Sequence, residues 1–255
     1  MDMVLRRFAK AIRSQDWFTV FVELVVLIVG VFLGLQVDDW NQRRLDRIEE
    51  QYYLDRLGRD LKHSLIEQEE QLEAAKMKFD DTLAIQNVLE TGDLGSMTVD
   101  EFEHRIGMVR GFASSTLVTA TMQELIAGGK ASLLQSDELR EELADFNEWY
   151  ARHKQSYEYV SGSIMDAYRR FFGFLRPDWP DLDAPPAWSA DVENLMNDPD
   201  AKPTMRQLTN AYWIRWRDLR RLNRETRELY ELLCEVTAAP RRMRVEGCDN
   251  STVKQ

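Results

Sequence analysis

Between residues 17 and 37 the chain reads WFTVFVELVVLIVGVFLGLQV, in which only Thr19, Glu23 and Gln36 are polar. As a helix rising about 1.5 Å per residue, this run spans roughly 31 Å, close to the thickness of a bilayer's hydrocarbon core. Trp17 and Trp40 flank it, and their amphipathic rings suit the two membrane interfaces as anchors. A cleaved leader would be followed by a small-x-small site, whereas this run passes directly into Gln36-Val37-Asp38-Asp39-Trp40. The pattern therefore predicts a transmembrane helix that stays attached, rather than a leader or the core helix of a soluble protein.

Past residue 37 the pattern changes from apolar all round to apolar on one stripe. From about Asp38 to Leu89 nothing breaks a helix, and Leu54, Leu57, Leu61, Leu65, Leu72, Phe79 and Leu83 recur mostly at steps of three and four or their multiples. This is the signature of a long amphipathic helix, which can continue directly from the membrane helix. The cluster Thr91-Gly92-Asp93 with Gly95-Ser96 ends it. Thr98 with Glu101 reads as a capping box for a shorter helix whose inward positions are Phe102, Ile106 and Val109. A helical turn through Met122 and Leu125 stops at Gly128-Gly129.

Ser136 caps a further long helix, with Leu139, Leu143, Phe146, Tyr150, His153, Tyr157, Val160, Ile164, Tyr168, Phe171 and Leu175 at coiled-coil-like steps. Residues 176–203 hold six of the seven prolines, which predicts a long connection, with Trp179 and Trp188 available to dock it. A last helix, from about Met205 to Val236, carries Leu208, Tyr212, Leu219, Leu222, Leu229 and Leu233, and Pro240 ends it. No segment shows strand alternation with hairpin turns. The expected fold is all-α: one N-terminal transmembrane helix continuing into an antiparallel helical bundle with coiled-coil-like long helices. Its divisions are a basic N-terminus (1–16), the membrane helix (17–37), an acidic bundle (38–240) and a C-terminal tail (241–255).

Composition refines this picture. Apolar residues make up 44% of the 255 and seven are Trp, enough to fill a core. Net charge is −11; residues 1–37 carry +1, so the remainder carries −12. An acidic body of that size excludes nucleic acid as the expected partner. Arg6, Arg7, Lys10 and Arg13 precede the apolar run, while Arg43, Arg44 and Arg47 follow it, so the positive-inside rule favours a cytoplasmic N-terminus. The bundle would then lie outside the cytoplasm of a bacterial inner membrane. Cys234 and Cys248 match no zinc or redox spacing; they either close a small loop in an oxidising compartment or stand as two unlinked thiols.

Within the apolar run, Glu23, Leu27, Gly30 and Gly34 fall on one stripe. Gly30 and Gly34 form the G-x-x-x-G pair that lets two helix backbones approach closely, and a carboxyl group facing lipid is costly. Both features point to self-association or to another membrane protein. Against this, such glycine pairs also arise by chance, and Glu23 stands near enough to the start of the run to reach the headgroups.

Two stretches together resemble a known family. The first is Glu23-Leu24-Val25-Val26-Leu27-Ile28-Val29-Gly30, with Leu35-Gln36 and Trp40-Asn41; the second is Glu124-Leu125, Gly129-Lys130, Leu133 and Leu139-Arg140. These resemble the bacterial single-pass membrane proteins catalogued as domain of unknown function six thousand and ninety. The chain departs from that pattern with Asp38-Asp39 in place of amides and Gly34 in place of Ala. The resemblance implies a membrane-anchored helical protein over about the first 150 residues, and brings no activity or site with it.

Searching for chemistry yields little. Glu101-x-x-His104 and Asp60-x-x-His63 echo half of a di-iron motif, but each His lies about 200° round the helix from an inward residue, so no metal site is expected. His153 lies on the seam, where a hydrogen-bonded structural histidine is the simplest reading. Gly128-Gly129-Lys130-Ala131 lacks the rest of a phosphate loop, and Ser114-Ser115 have no partner pattern of a nucleophile. The acidic run Glu67-Gln68-Glu69-Glu70 reads as solvated helix face. No catalytic residue and no cofactor is expected. The function predicted is a non-enzymatic oligomeric scaffold or interaction subunit. The alternatives are a small-molecule sensor bundle signalling through a partner, and a subunit of a transport or ion-coupled complex using Glu23.

Overall fold

The computed structural model describes residues 17–109, 117–178 and 187–238, together with Val245 and Cys248. The side chains of residues 17–20, 178, 187 and 188 are also outside this description. Readings that fall on Arg6, Arg7, Lys10, Arg13, Ser114, Ser115, Trp179, Pro180, Pro185, Pro186 and Pro240, or on the side chains of Trp17 and Trp188, thus lie outside the described residues. The chain forms two compact units, one up to Tyr52 and one from Tyr53 onward. The first helix, α1, runs unbroken over Trp17–Thr91 and contributes to both.

The second unit is a mostly helical bundle of four legs. Its first leg is α1 from Tyr53. The return leg is broken into α2 (Val99–Met108) and α3 (Ala120–Ala127), followed by a tight turn at Lys130–Leu133. The third leg is α4 (Asp137–Phe171). Next come strands β1 (Leu175–Asp178) and β2 (Ala187–Ala190) and the short helix α5 (Val192–Asn197). The last leg is α6 (Ala201–Ala238).

Cross-contacts fix the directions. Arg105 pairs with Asp81 at 2.7 Å, Thr121 donates to Asp60 at 2.6 Å and Tyr53 donates to Glu124 at 2.6 Å, so the broken leg runs against α1. Arg206 with Glu90, Trp216 with Phe79, and Arg227 with Glu69 run α6 against α1. Arg221 over Trp149 and Gln207 donating to Ser163 run it against α4. Adjacent legs of this bundle are therefore antiparallel, as the short loops and inward stripes predict.

Local signals explain the boundaries. The Thr98 side chain accepts from the Glu101 N–H at 3.1 Å, and Ser136 accepts from Leu139 at 3.2 Å, each satisfying a backbone donor that the first helical turn leaves open. Gly128 caps α3, and Gly129 takes φ +68°, a conformation a side chain would oppose.

The interior contains two apolar clusters. One joins Ile85, Val88 and Leu89 of α1 to Phe102, Ile106, Ile164, Phe171, Met205 and Leu208. The other joins Leu54, Leu57 and Leu61 to Met122, Leu125, Leu139, Phe146, Leu229 and Leu233. Between them α6 stays inward through Leu219 and Leu222, accompanied by buried Gln68, His153, Arg215 and Thr226.

Three expectations need correction. Leu83 is 38% exposed, and Thr82 is the buried neighbour. A step of three from Phe79 lands inward and a step of four does not, and the hydrophobic pattern selects the leucine over the small polar residue that fits. Gln68 is fully buried rather than solvated: four residues on from Ser64 and three from Leu65, both buried, it sits on the inward stripe. Residues 176–203 also contain a two-stranded antiparallel pair, with Leu175 opposite Ala190 and Pro177 opposite Trp188. Both strands are edges, where a proline's missing N–H does not interrupt a ladder. Pro203 stands in the first turn of α6, where an N–H has no helical partner, so the helix starts at Ala201 rather than near Met205.

The burial difference is directly testable. Leu208→Ala should cost about 2–5 kcal/mol through the cavity it leaves, and Leu83→Ala about 1 kcal/mol or less, in denaturant titrations followed by Trp fluorescence.

Candidate functional site

Among the described residues, nothing covers the apolar segment. Thirteen large apolar side chains between residues 21 and 37 are exposed, Leu27 at 64% among them, and Trp40 is 66% exposed. A Cβ added at Gly30 or Gly34 would meet nothing within 4 Å. Glu23, Leu27, Gly30 and Gly34 lie within about 60° of arc on this helix, given 100° per residue. They form one open stripe, with a shallow groove at the glycines into which another helix backbone can settle. Leaving such side chains in water forgoes about 1.5–3 kcal/mol each, a total above the whole stability of a typical domain, roughly 5–15 kcal/mol. The segment therefore requires an apolar environment.

The C-terminal tail is tied to the bundle. Cys234 and Cys248 are joined by a disulfide, with Cα atoms 5.4 Å apart and a separation of 14 residues. Between them Val245 is buried against the cluster containing Leu229 and Leu233. Closing a loop of about 15 residues removes roughly 3 kcal/mol of freedom from the unfolded chain.

The return leg is locked by a polar cluster that the sequence did not single out as such. Glu124 accepts from Tyr53 at 2.6 Å and from Arg56 at 2.8 Å, and Lys130 donates to the same Tyr53 hydroxyl at 2.7 Å. The Tyr53 hydrogen bond, followed by that of Arg56, holds the Glu124 carboxyl below its ordinary range. Glu124 and Lys130, both in the second stretch that carries the family resemblance, thus fasten α3 and its terminal turn to α1. Arg140 continues the fastening by donating to the Leu134 carbonyl and pairing with Asp137.

The polar layer between the two apolar clusters contains a buried cation and a buried imidazole. Arg215 is 2% exposed, and its guanidinium carbon lies 3.7 Å from the centroid of the Tyr157 ring. Burial lowers its pKa to about 10, with Tyr157 and Asp218 opposing the shift. His153 stacks on Trp149 at 5.1 Å between centroids. Burial pushes its pKa down; Asp218 works against this, and Arg215 and Arg221 add to it. His153 is thus buried as its seam position predicts. Its Nε2, however, has no hydrogen-bond partner among the described residues, and the contact that holds the ring on that side is the stack of its face on Trp149. Deeper in the layer, Gln68 donates to Thr226 at 3.4 Å.

His63 and His104 are exposed, and His63 lies 3.7 Å from Glu67. Among the described residues, no three His, Cys, Asp or Glu side chains converge as a metal site would require. No protein-family model, curated protein or solved structure matches the chain.

Two outcomes follow. His153 protonates more readily unfolded, near pH 6.5, than folded, so its contribution is intact above pH 6.5 and declines as pH falls below it. Unfolding free energy measured from pH 7.5 to 5 should drop more steeply in the wild type than in His153→Gln. Replacing both cysteines by serine should lower stability by about 3 kcal/mol in the same assay, and a reductant should then have no further effect.

Proposed function

We propose that the chain is a non-enzymatic membrane protein, held by one N-terminal helix and self-associating through Glu23, Leu27, Gly30 and Gly34. It presents the four-legged bundle to protein partners outside the cytoplasm. The observation that carries this reading is the exposure of every large apolar side chain between residues 21 and 37. Lipid, together with a second copy along the glycine groove, covers such a surface at no cost to the bundle.

The continuity of α1 over Trp17–Thr91 supports a retained anchor over a removed leader, because cleavage after the apolar run would sever a helix in mid-course. The Cys234–Cys248 bond supports an oxidising compartment for the bundle, since cytoplasmic thiols are kept reduced. The excess of basic residues before the run points the same way. Glu23 on the glycine stripe gains a partner in a dimer, where two carboxyl groups can share a proton and a hydrogen bond away from lipid. The resemblance to the uncharacterised bacterial single-pass family accords with this architecture and assigns no reaction.

Carbonate washing of membranes followed by crosslinking tests the proposal. The wild type should stay in the pellet and crosslink as an oligomer, and Gly30→Ile/Gly34→Ile should stay in the pellet as a monomer. Release of the wild type by carbonate would remove the anchor, and an oligomer surviving both substitutions would remove the interface.

A further inference from the structure

The outward face of α6 is basic in a chain whose net charge is −11. Arg217, Arg220, Arg221 and Arg224 stand at steps of three, one and three, which places them on one stripe covering roughly 10 Å of helix. All four are exposed. With Asp218 they line a surface depression of about 520 Å³.

Indole rings underlie three of them. The guanidinium carbon of Arg217 is 4.9 Å from the Trp213 ring centroid, that of Arg220 is 5.1 Å from Trp216, and that of Arg221 is 5.4 Å from Trp149. Asp218 pairs with Arg217 at 3.2 Å, Glu225 lies 2.9 Å from Arg224 and 3.5 Å from Arg221, and Glu228 lies 3.7 Å from Arg224. Four guanidinium groups therefore face three carboxylates, and among the described residues no carboxylate is within ion-pair distance of Arg220.

We propose that this depression binds a compact, multiply charged phosphate group. A guanidinium stacked on an indole is held in orientation while its in-plane N–H groups remain free to donate, so less freedom is lost when an oxyanion binds. Neighbouring forks along one stripe can grip different oxygens of the same phosphate, a geometry that a single carboxylate cannot satisfy as fully. The ligand must be compact. A nucleic-acid strand would run beyond the patch onto acidic surface, whereas a phosphate or pyrophosphate sits within one Debye length, about 8–10 Å, of all four arginines, whose charges outnumber those of Asp218, Glu225 and Glu228 there. The phosphate can be carried by a soluble molecule or by an anionic lipid headgroup.

The test is calorimetric titration of pyrophosphate into the full chain in the uncharged detergent dodecyl maltoside. Saturable binding near one per chain is expected, weakened tenfold or more by Arg220→Gln/Arg224→Gln. It should be unchanged by Arg152→Gln/Arg169→Gln, which removes two exposed arginines of α4. Competition by a short-chain phosphatidylglycerol but not by the matching phosphatidylcholine identifies a lipid headgroup as the source, and its absence identifies a soluble phosphate. No saturable binding, or equal binding by both variants, overturns the proposal.

Discussion

The bundle depends on the inward stripe of α6. Leu208, Tyr212, Leu219, Leu222, Leu229 and Leu233 are all at most 1% exposed, and they extend through both apolar clusters. Every other leg of the bundle buries its own stripe in one or both of those clusters. Each such leucine contributes about 1.5–3 kcal/mol by leaving water. The Tyr212 hydroxyl also reaches across to the Val109 carbonyl at 2.5 Å, joining α6 to the end of α2. A helix of 38 residues with one uninterrupted seam gives the broken return leg, whose helical pieces are short, something continuous to pack on.

The polar layer in mid-bundle works against stability and for register. A buried guanidinium is costly even when it lies over a ring and near a carboxylate. Sliding α6 by one turn would separate Arg215 from Tyr157, and Thr226 from Gln68, stranding polar groups among leucines. Leucine seams alone tolerate such slips, because one leucine replaces another. The layer therefore selects one alignment of long helices from several of similar apolar burial, as polar residues do at inward positions of coiled coils.

Much of this was legible in the sequence because helix periodicity, caps and stops are local. Thr98, Ser136 and Gly128-Gly129 do what their types and spacing predict, and the six positions of the α6 stripe read from the sequence all face inward. What escaped was decided by partners distant in sequence. Gln68 looks like part of an acidic run until Thr226, 158 residues away, is placed beside it. Arg215 reads as one of many surface arginines until Tyr157 lies over it. The pair β1–β2 carries prolines that argue against strands, and it forms because both strands are edges. Glu124 and Lys130 stood in the sequence only as part of a family resemblance; their role appears once Tyr53 and Arg56 stand opposite.

Bulk averages conceal the two surfaces on which the proposals rest, for the same physical reason. A mean hydropathy of −0.46 describes a soluble protein, and a net charge of −11 describes one that avoids phosphate. Neither average is taken over the distance at which the relevant force acts. A bilayer is sensed over about 30 Å of continuous helix, and a run of that length outweighs any polarity elsewhere in the chain. Charge is sensed within a Debye length of about 8–10 Å, so the total charge of the chain does not decide what approaches the four arginines on two turns of α6. The apolar run and the arginine stripe are each large enough on their own scale to dominate locally, and each is diluted to nothing in the average.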